Sequence, residues 1–282
     1  MRKTALLLLP LVAVSVAATA ARPKPRFSTP YDLVVTSRGE LWIADGPSGR
    51  VLRYDLRRRR LAIAARIRGG ELVGISHVGG ASYVSDIRRG VVWRIGPKGR
   101  VSPFARVPAA TDSVLTGRTL YVGSLEKGIF AIDLRTRRKR LLNRSLRPHG
   151  LTTDPGGRLV AVNPPHGIYR VDKRGGTTLL LGADGARAAF SRDGRLYFVQ
   201  GSPEGATVRR LEADGSVTRV AGTGRIGPEG ENVPATSVGL QISAILFARD
   251  GSLLLGQVAP RPAKIRRVDL GDGTITTVVR SP

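Results

Sequence analysis

The chain has 282 residues, with 46 Lys or Arg against 21 Asp or Glu and no cysteine. Its length is sufficient to bury a sizeable core, and all-β folds of this size are often single domains. Without cysteine, disulfide scaffolds, thiol nucleophiles, iron–sulfur clusters and Cys-based zinc sites are excluded. A formal charge of +25 suggests nucleic acid or an anionic surface as partner. However, 39 of the bases are arginine, a skew that GC-rich codon usage alone would produce.

The first residues have the layout of a secretory signal peptide. Arg2 and Lys3 precede an apolar stretch over 5–18, and Ala18-Thr19-Ala20 provides a small-residue cleavage site. A transmembrane anchor is the alternative, but the apolar run is short for one. We therefore predict a signal peptide at 1–20, a short N-terminal segment at 21–29 and a secreted protein. Because no cysteine follows the cleavage site, lipoprotein anchoring is excluded.

The remaining chain is a repeat. Short apolar strands end in a polar residue at positions that lie 41, 38, 39, 37 and 57 residues apart, namely Asp45, Asp86, Ser124, Asn163, Gln200 and Gln257. Each of these strands is followed by another short strand, which in most copies ends in an acidic residue. A turn that contains glycine precedes most of the strands that end at the positions named above. A period near 40 with four short strands per unit is typical of a β-propeller blade.

The repeat predicts an all-β fold, a six-bladed β-propeller with four antiparallel strands per blade, as one domain over 30–282. The predicted blades cover 30–66, 72–105, 110–142, 148–181, 186–221 and 241–279, and an insertion covers 222–240. The strands of a blade are lettered A to D in chain order; the B–C and D–A loops share one face of the ring, the loop face, and the A–B and C–D turns share the opposite turn face. Since the repeat begins with strand A and ends with strand D, no exchanged strand is required to close the ring, and the segment Arg22–Thr29 is the alternative source of one. We expect the insertion to form a lid over the loop face.

The repeat unit resembles the NHL repeat, with Pro-x-Gly-Leu before the first strand and an Arg-Tyr-Asp type of ending after the second. The best matches are Pro30–Asp55 and Pro148–Asp172. The insertion, with Ala221-Gly222-Thr223-Gly224 and a later Pro-Ala-Thr, also resembles loops of bacterial NHL proteins. The resemblance implies a propeller fold, but it implies little about function because propellers have many activities.

The resemblance extends to the SMP-30/gluconolactonase group, whose six-bladed enzymes hold a divalent metal with Glu, Asn and Asp at the channel mouth. A hard cation needs several oxygen ligands there. Alignment of strand A places other residues at the ligand positions: Tyr31, Val73, Thr111, His149, Ala186 and Ser243. We therefore expect no cofactor and no metal site of the gluconolactonase type; a divalent metal held by other residues is the alternative.

Two of the three histidines, His149 and His166, belong to blade 4 loops on the predicted ligand face. A histidine pair here would serve as general base and acid, as in secreted propeller lyases of the virginiamycin B lyase type. The alternative is that His149 bonds to backbone and His166 is an exposed loop residue, with His77 packed in a strand. Further ligand-face candidates are Tyr31, Asp32, Asp45, Asp86, Asp112, Asn163 and Ser243. Repeated carboxylates also commonly accept turn N–H bonds or pair with arginine.

The basic charge is concentrated in two predicted C–D turns on the opposite face. These residues are Arg57, Arg58, Arg59, Arg60, Arg135, Arg137, Arg138, Lys139 and Arg140. Such a patch would bind an anionic cell-surface polymer, lipid headgroups or an acidic partner, and the alternative is a solvated rim. No aromatic residue interleaves the bases as a stacking platform for nucleic acid would require, so we predict no nucleic-acid partner.

The sequence favours a monomeric, secreted NHL-like propeller that acts as a scaffold for binding a ligand or protein partner on its loop face. An enzyme is the alternative, either a lactonase-type hydrolase or a lyase.

Overall fold

The computed structural model describes residues 25–281, so the predicted signal peptide at 1–20 lies outside the described residues. Within this range, antiparallel strands form six sheets, and the four main strands of each sheet follow the order of the chain. This confirms the predicted all-β, six-bladed β-propeller. In the same range, no helix is long and apolar enough to cross a bilayer.

The blades have the following strands. Blade 1 contains β1 (Pro30–Val35), β2 (Glu40–Asp45), β3 (Arg50–Asp55) and β4 (Arg60–Arg66). Blade 2 contains β5 (Leu72–Val78), β6 (Ala81–Asp86), β7 (Val91–Ile95) and β8 (Val101–Arg106). Blade 3 contains β9 (Ala110–Thr116), β10 (Thr119–Ser124), β11 (Gly128–Asp133) and β12 (Lys139–Asn143). Blade 4 contains β13 (Gly150–Thr153), β14 (Leu159–Asn163), β15 (Gly167–Val171) and β16 (Thr177–Leu181). Blade 5 contains β17 (Arg187–Phe190), β18 (Leu196–Ser202), β19 (Gly205–Leu211) and β20 (Val217–Ala221). Blade 6 contains β22 (Gln241–Phe247), β23 (Leu253–Ala259), β24 (Lys264–Val268) and β25 (Thr274–Arg280), with the short β21 (Val233–Pro234) beside β25. Three 3-10 turns occur at Gly46–Ser48, Pro97–Gly99 and Ala235–Ser237.

The second strand of each blade is buried on both faces, because a blade is covered by a neighbour on each side. In blade 4, all five residues of β14 are buried, including the apolar run from Leu159 to Val162. The apolar clusters accordingly lie between blades and contain residues of both neighbours. A single blade has no other way to bury its two faces, so the ring is the folding unit.

The ring closes by packing between blades 1 and 6. The innermost strands β22 and β1 are in contact, as are the other neighbouring pairs of innermost strands. Phe27 is buried in the apolar cluster that joins the two blades, and its N–H donates to Ser281 Oγ at 3.0 Å. Each blade keeps its own four strands, so among residues 25–281 no strand is exchanged between the first and last blades.

The insertion at 222–240 is not a lid, contrary to the expectation from the sequence. Its apolar residues Ala235, Val238 and Leu240 are buried in the core between blades 5 and 6. Its short strand β21 pairs with β25 and covers the outer edge of blade 6. An apolar segment with a free strand edge beside it gains more by packing there than by extending over the loops.

Candidate ligand-binding cavity on the loop face

A cavity of about 440 Å³ lies at the axis, where the innermost strands begin. The D–A and B–C loops surround it, so it opens on the loop face. The six residues aligned at the start of strand A all line it, namely Tyr31, Val73, Thr111, His149, Ala186 and Ser243. The other lining residues are Thr29, Glu71, Ile87, Leu125, Arg187, Gln241, Ile242 and Val258.

Backbone contacts between blades position these side chains. Ser243 Oγ donates to the Pro30 carbonyl at 2.8 Å, and Thr111 Oγ1 donates to the Pro148 carbonyl at 2.8 Å. The Tyr31 ring lies over Gly46, where a Cβ atom would be 2.3 Å from a ring carbon. A residue other than glycine at position 46 would therefore displace the ring from the cavity wall.

His149 is exposed to the cavity at the entrance to β13. Its backbone N–H donates to the Val162 carbonyl at 2.9 Å, which holds the loop against strand β14. Partial burial and the nearby Arg187 lower the pKa of His149, while Asp184 opposes the shift. The imidazole is therefore neutral near neutral pH and able to accept or donate a hydrogen bond.

The structure does not bring His166 into this cavity with His149. Among residues 25–281, those that line the cavity do not include His166, which is exposed in the turn after β14. Its N–H donates to the Asn163 carbonyl at 2.8 Å, and its carbonyl accepts from Tyr169 Oη at 3.2 Å. A general acid–base pair made of these two histidines is not assembled at the cavity.

Asp45, Asp86 and Asn163 lie on the loop face but their side chains are buried. Asp45 Oδ1 accepts from the amides of Ser28 and Thr29 at 2.8 and 2.9 Å. Asp86 Oδ1 accepts from the Glu71 amide at 3.1 Å, and Asn163 Oδ1 accepts from the Arg147 amide. These residues brace the incoming loops of their own blades. Their oxygens are already bonded and not available to a ligand, and the two aspartates match the alternative from the sequence, in which repeated carboxylates accept turn N–H bonds or pair with arginine.

Below the cavity, an ion-pair network closes the axial channel. One residue further along each innermost strand stand Asp32, Gly74, Asp112, Gly150, Arg187 and Ala244. Arg187 extends across the axis, with Nη1 2.7 Å from Asp112 Oδ2 and Nη2 donating to the Val73 carbonyl at 2.9 Å. Nη2 also donates to the Tyr31 carbonyl at 3.2 Å. The side chain of blade 5 thus contacts blades 1, 2 and 3.

The small residues of the even-numbered blades make room for this network. A Cβ at Gly74 would lie 2.8 Å from the Asp112 Cα, and one at Gly150 would lie 3.3 Å from the Arg187 Cα. The two carboxylates also hold the next blade, because Asp32 Oδ2 accepts from the Ile75 amide at 2.7 Å and Asp112 Oδ2 from the Leu151 amide at 2.9 Å.

Two carboxylates share one guanidinium in this network. Burial and the nearby Asp112 raise the pKa of Asp32 well above its ordinary value, although Arg187 opposes the shift. Burial by itself would lower the pKa of Arg187, but Asp112 and Asp32 raise it overall. Arg187 therefore remains charged while Asp32 holds its proton to a higher pH than an ordinary aspartate.

Sequence reasoning missed Arg187. The strand alignment contained the signal, because one position after the cavity residues the other five blades carry aspartate, glycine or alanine. Arg187 lines both the loop-face cavity and a second axial cavity of about 240 Å³ on the turn face. His77 lines that second cavity, with its ring against Trp42 at 5.5 Å and Nδ1 2.9 Å from Ser82 Oγ.

The residues at the cavity mouth do not fit the metal centre of the gluconolactonase group. The six aligned positions supply one imidazole, three hydroxyls and two apolar side chains, whereas a hard cation prefers several carboxylate or carbonyl oxygens. Within 25–281, no group of three His, Asp or Glu side chains is arranged to hold a metal ion.

The two predicted basic clusters lie on C–D turns, as expected from the repeat. Arg57–Arg60 are exposed from the turn after β3 to the first residue of β4, and Arg135 with Arg137–Arg140 are exposed from the turn after β11 into the start of β12. The charge is not confined to this face, because Arg68, Arg88, Arg89 and Arg144 are exposed in loops around the cavity entrance.

Comparisons with known proteins support the fold. No protein-family model matches the chain, and no curated protein matches it significantly. Virginiamycin B lyase from Staphylococcus aureus is similar in structure, with a TM-score of 0.62 and 15% identity over 89% of this chain and 84% of that one. A chain of a nidogen/laminin complex is similar with a TM-score of 0.66 and 17% identity, over 84% of this chain and 90% of that chain. An auxiliary nutrient binding protein from Bacteroides thetaiotaomicron has a TM-score of 0.65 and 15% identity, over 83% and 67% of the two chains.

At such identities the likeness shows a shared six-bladed propeller and not a shared activity. The finer resemblance to NHL-repeat and SMP-30/gluconolactonase proteins stays a prediction.

Proposed function

We propose that this chain is a secreted binding propeller that takes its ligand in the loop-face cavity. The observation that carries the proposal is the shape of the axis: Arg187 and its carboxylates lie across the channel, and the starts of the innermost strands and the adjacent loops line the cavity above them. A concave site with mostly apolar walls and a few convergent polar groups is the usual form of a small-ligand site.

The cavity wall indicates the chemistry of the ligand. Tyr31, Ile87, Leu125 and Ile242 provide apolar surface. Gln241 Oε1 is buried and accepts no hydrogen bond among the described residues, and the neutral His149 is also free to accept one. We expect a compact ligand, or the tip of a protein loop, with an apolar body and a hydrogen-bond donor.

The structural neighbours are compatible with a binding role. The nidogen/laminin complex contains a propeller that assembles with another protein, and two similar propellers are described as auxiliary nutrient binding proteins. They support the class of function only, and the ligand of this chain is inferred from its own cavity.

A blocking variant tests the site. Ala186 is exposed in the cavity, so Ala186→Trp fills it without removing a contact. Ligands are first found by thermal-shift screening of small metabolites and peptides against the mature protein. In calorimetry, each of Ala186→Trp and His149→Ala should lower the affinity for the best ligand about tenfold or more. The tryptophan fills the cavity, and the loss of His149 leaves a buried ligand group unpaired, which costs over about 1 kcal/mol. His166→Ala, outside the cavity, is the matched control and should bind like the wild type. A ligand unaffected by Ala186→Trp would contradict the site.

A lyase or hydrolase is the second candidate function. It is favoured by the position of His149 in the cavity lining, where the imidazole is unprotonated near neutral pH, as a general base must be. The test is to incubate the protein with virginiamycin B, after which one structural neighbour is named, or with simple lactones. Conversion of each compound is measured by chromatography. Turnover that His149→Ala abolishes and His166→Ala preserves would establish catalysis by His149 alone.

Secretion and an anionic partner complete the proposal. Export with cleavage after Ala20 predicts Ala21 as the first residue of the protein recovered from the medium, which N-terminal sequencing measures. The exposed bases on the C–D turns support contact with an anionic cell-surface polymer or lipid headgroups once the protein is outside the cell.

A further inference from the structure

The turn face carries a groove of about 790 Å³ between blades 3 and 4. One wall comes from the A–B and C–D turns of blade 3, and the other comes from the C–D turn of blade 4. Its cationic side chains are Arg138, Lys139 and Arg140 on the first wall and Lys173 on the second. All four are exposed, but the Lys139 ammonium lies on the blade 2 side of blade 3, where Nζ donates to the Arg106 carbonyl and is 5.1 Å from the centre of the Phe130 ring. The groove cations are therefore Arg138, Arg140 and Lys173.

These three cations lack acidic partners. Among residues 25–281, none of them has a carboxylate oxygen within 4.0 Å of its charged nitrogens. The one carboxylate that lines the groove is Asp133, whose Oδ1 accepts from the amides of Arg135 and Thr136 at 2.9 and 2.7 Å. These bonds lower the pKa of Asp133 and commit its carboxylate to the turn.

One groove cation is held in place by a contact that leaves its charge unneutralised. Arg140 Nη2 donates to the Lys173 carbonyl at 2.8 Å, which joins the two walls. In the wall, Thr116 Oγ1 is buried and has no hydrogen-bond partner among the described residues. The groove is thus partly organised before any partner arrives.

The repeat provides an internal comparison. The groove between blades 6 and 1 occupies the corresponding place and has a volume of about 420 Å³. Its Arg267 is neutralised by Asp250, with Nη2 3.0 Å from Oδ2. Of the cluster Arg57–Arg60, only Arg59 lines that groove. The repeat does not by itself make such a groove cationic. The groove between blades 3 and 4 is larger than the groove between blades 6 and 1, and its cations have no carboxylate partners.

We propose that the groove between blades 3 and 4 binds a polyanionic chain with repeated phosphate or sulfate groups. Cations on both walls would meet successive charges of such a chain, and arginine and lysine are the usual donors to those oxyanions. A recessed groove fits a chain better than a flat lipid surface, which would contact convex turns. This inference rests on the proposed anionic partner and is independent of the ligand in the loop-face cavity.

Two variants with equal loss of charge on the same face test the groove. The groove variant combines Arg138→Ser, Arg140→Ser and Lys173→Ser, and the control combines Arg57→Ser, Arg58→Ser and Arg60→Ser. Binding of long-chain polyphosphate to the mature protein is measured by fluorescence anisotropy at low and moderate salt. We expect the groove variant to bind about tenfold or more weakly than the wild type, and the control to lose less than about threefold.

Each other outcome overturns the proposal in a distinguishable way. If both variants bind polyphosphate equally more weakly, the net charge of the turn face accounts for binding. The groove is then rejected as the binding site, while the proposed anionic partner stands. No binding of polyphosphate or phosphatidylglycerol vesicles by the wild type rejects both. If the wild type binds the vesicles but not polyphosphate, a polyanionic chain is rejected as the ligand of the groove. Unchanged melting temperatures confirm that the variants are folded; if the groove variant melts early, Arg138→Glu with Lys173→Glu replaces it, because that pair leaves the Arg140 contact intact.

Discussion

Two sets of carboxylates occur at repeated positions of this propeller, and they differ in how far their bonds reach. Asp45 and Asp86 end the second strands of blades 1 and 2, at the rim, and bond to the loop that enters their own blade. Asp32 and Asp112 lie at the start of the innermost strands of blades 1 and 3, at the axis, and bond to the backbone of the following blade. The rim carboxylates stabilise single blades, whereas the axial carboxylates join blades to one another.

The difference has a consequence for charge. A rim carboxylate has a partner from its own repeat, as when Asp45 Oδ2 lies 2.8 Å from Arg50 Nη2. At the axis, one arginine from the far side of the ring serves both carboxylates, since Arg187 pairs with Asp112 and lies near Asp32. The axis is therefore the place where this protein is most sensitive to the loss of one side chain.

Replacing the axial arginine should have the largest effect. Arg187→Met leaves the buried Asp112 without its cation, and breaking a buried pair in this way costs about 3 to 5 kcal/mol. The free energy of unfolding, from urea titration, measures it. Arg192→Ser, an exposed arginine of the same blade, should change stability by less than about 0.5 kcal/mol. A double variant with Asp112→Asn should recover part of the loss; if Arg187→Met is as mild as the control, the axial network is not a principal support of the ring.

Ionisation of Asp32 should change the free energy of unfolding less than Arg187→Met does. Asp32 can take up a proton, which limits the cost of burying its charge. The raised pKa of native Asp32 means that the unfolded chain releases this proton first, near its ordinary pKa of about 4. Stability contributed by the protonated form is full below that value and is lost as pH rises through the native pKa. Asp32→Asn does not titrate, so its melting temperature relative to the wild type should increase as pH rises through this window. A difference that stays constant with pH would contradict the shift.

A rim variant should have the smallest effect. Asp45→Asn keeps an oxygen for the Ser28 and Thr29 amides and loses the charge that pairs with Arg50. We expect a loss of about 1 kcal/mol in the free energy of unfolding, as for a part-exposed ion pair with a retained hydrogen bond. A loss equal to that of Arg187→Met would remove the distinction between rim and axis.

Much of the fold was predictable from the sequence because each strand carries its own signal. Apolar runs such as Leu159–Val162 and turns such as Asp154–Gly157 are local, and six copies in register reinforce one another. The same register placed the residues from Tyr31 to Ser243 at one level of the ring, where the structure shows a cavity. These inferences needed only the period of the repeat.

The error about the insertion arose because its packing partners come from other parts of the chain. The insertion was expected to cover the cavity, and Leu240 instead packs between blades 5 and 6. This outcome does not follow from spacing, because it depends on which buried surface and free strand edge are nearest in the closed ring.

The sequence by itself determined the number of blades, their strands and the level at which the cavity residues stand, since a period of alternating strands and turns is a local property. Tertiary structure alone decided that Arg187 closes the channel, that His149 enters the cavity without His166, and that one groove keeps unpaired cations. The physical reason is distance along the chain: Arg187 meets the Val73 carbonyl from the second blade, 114 residues away, and only ring closure brings them together.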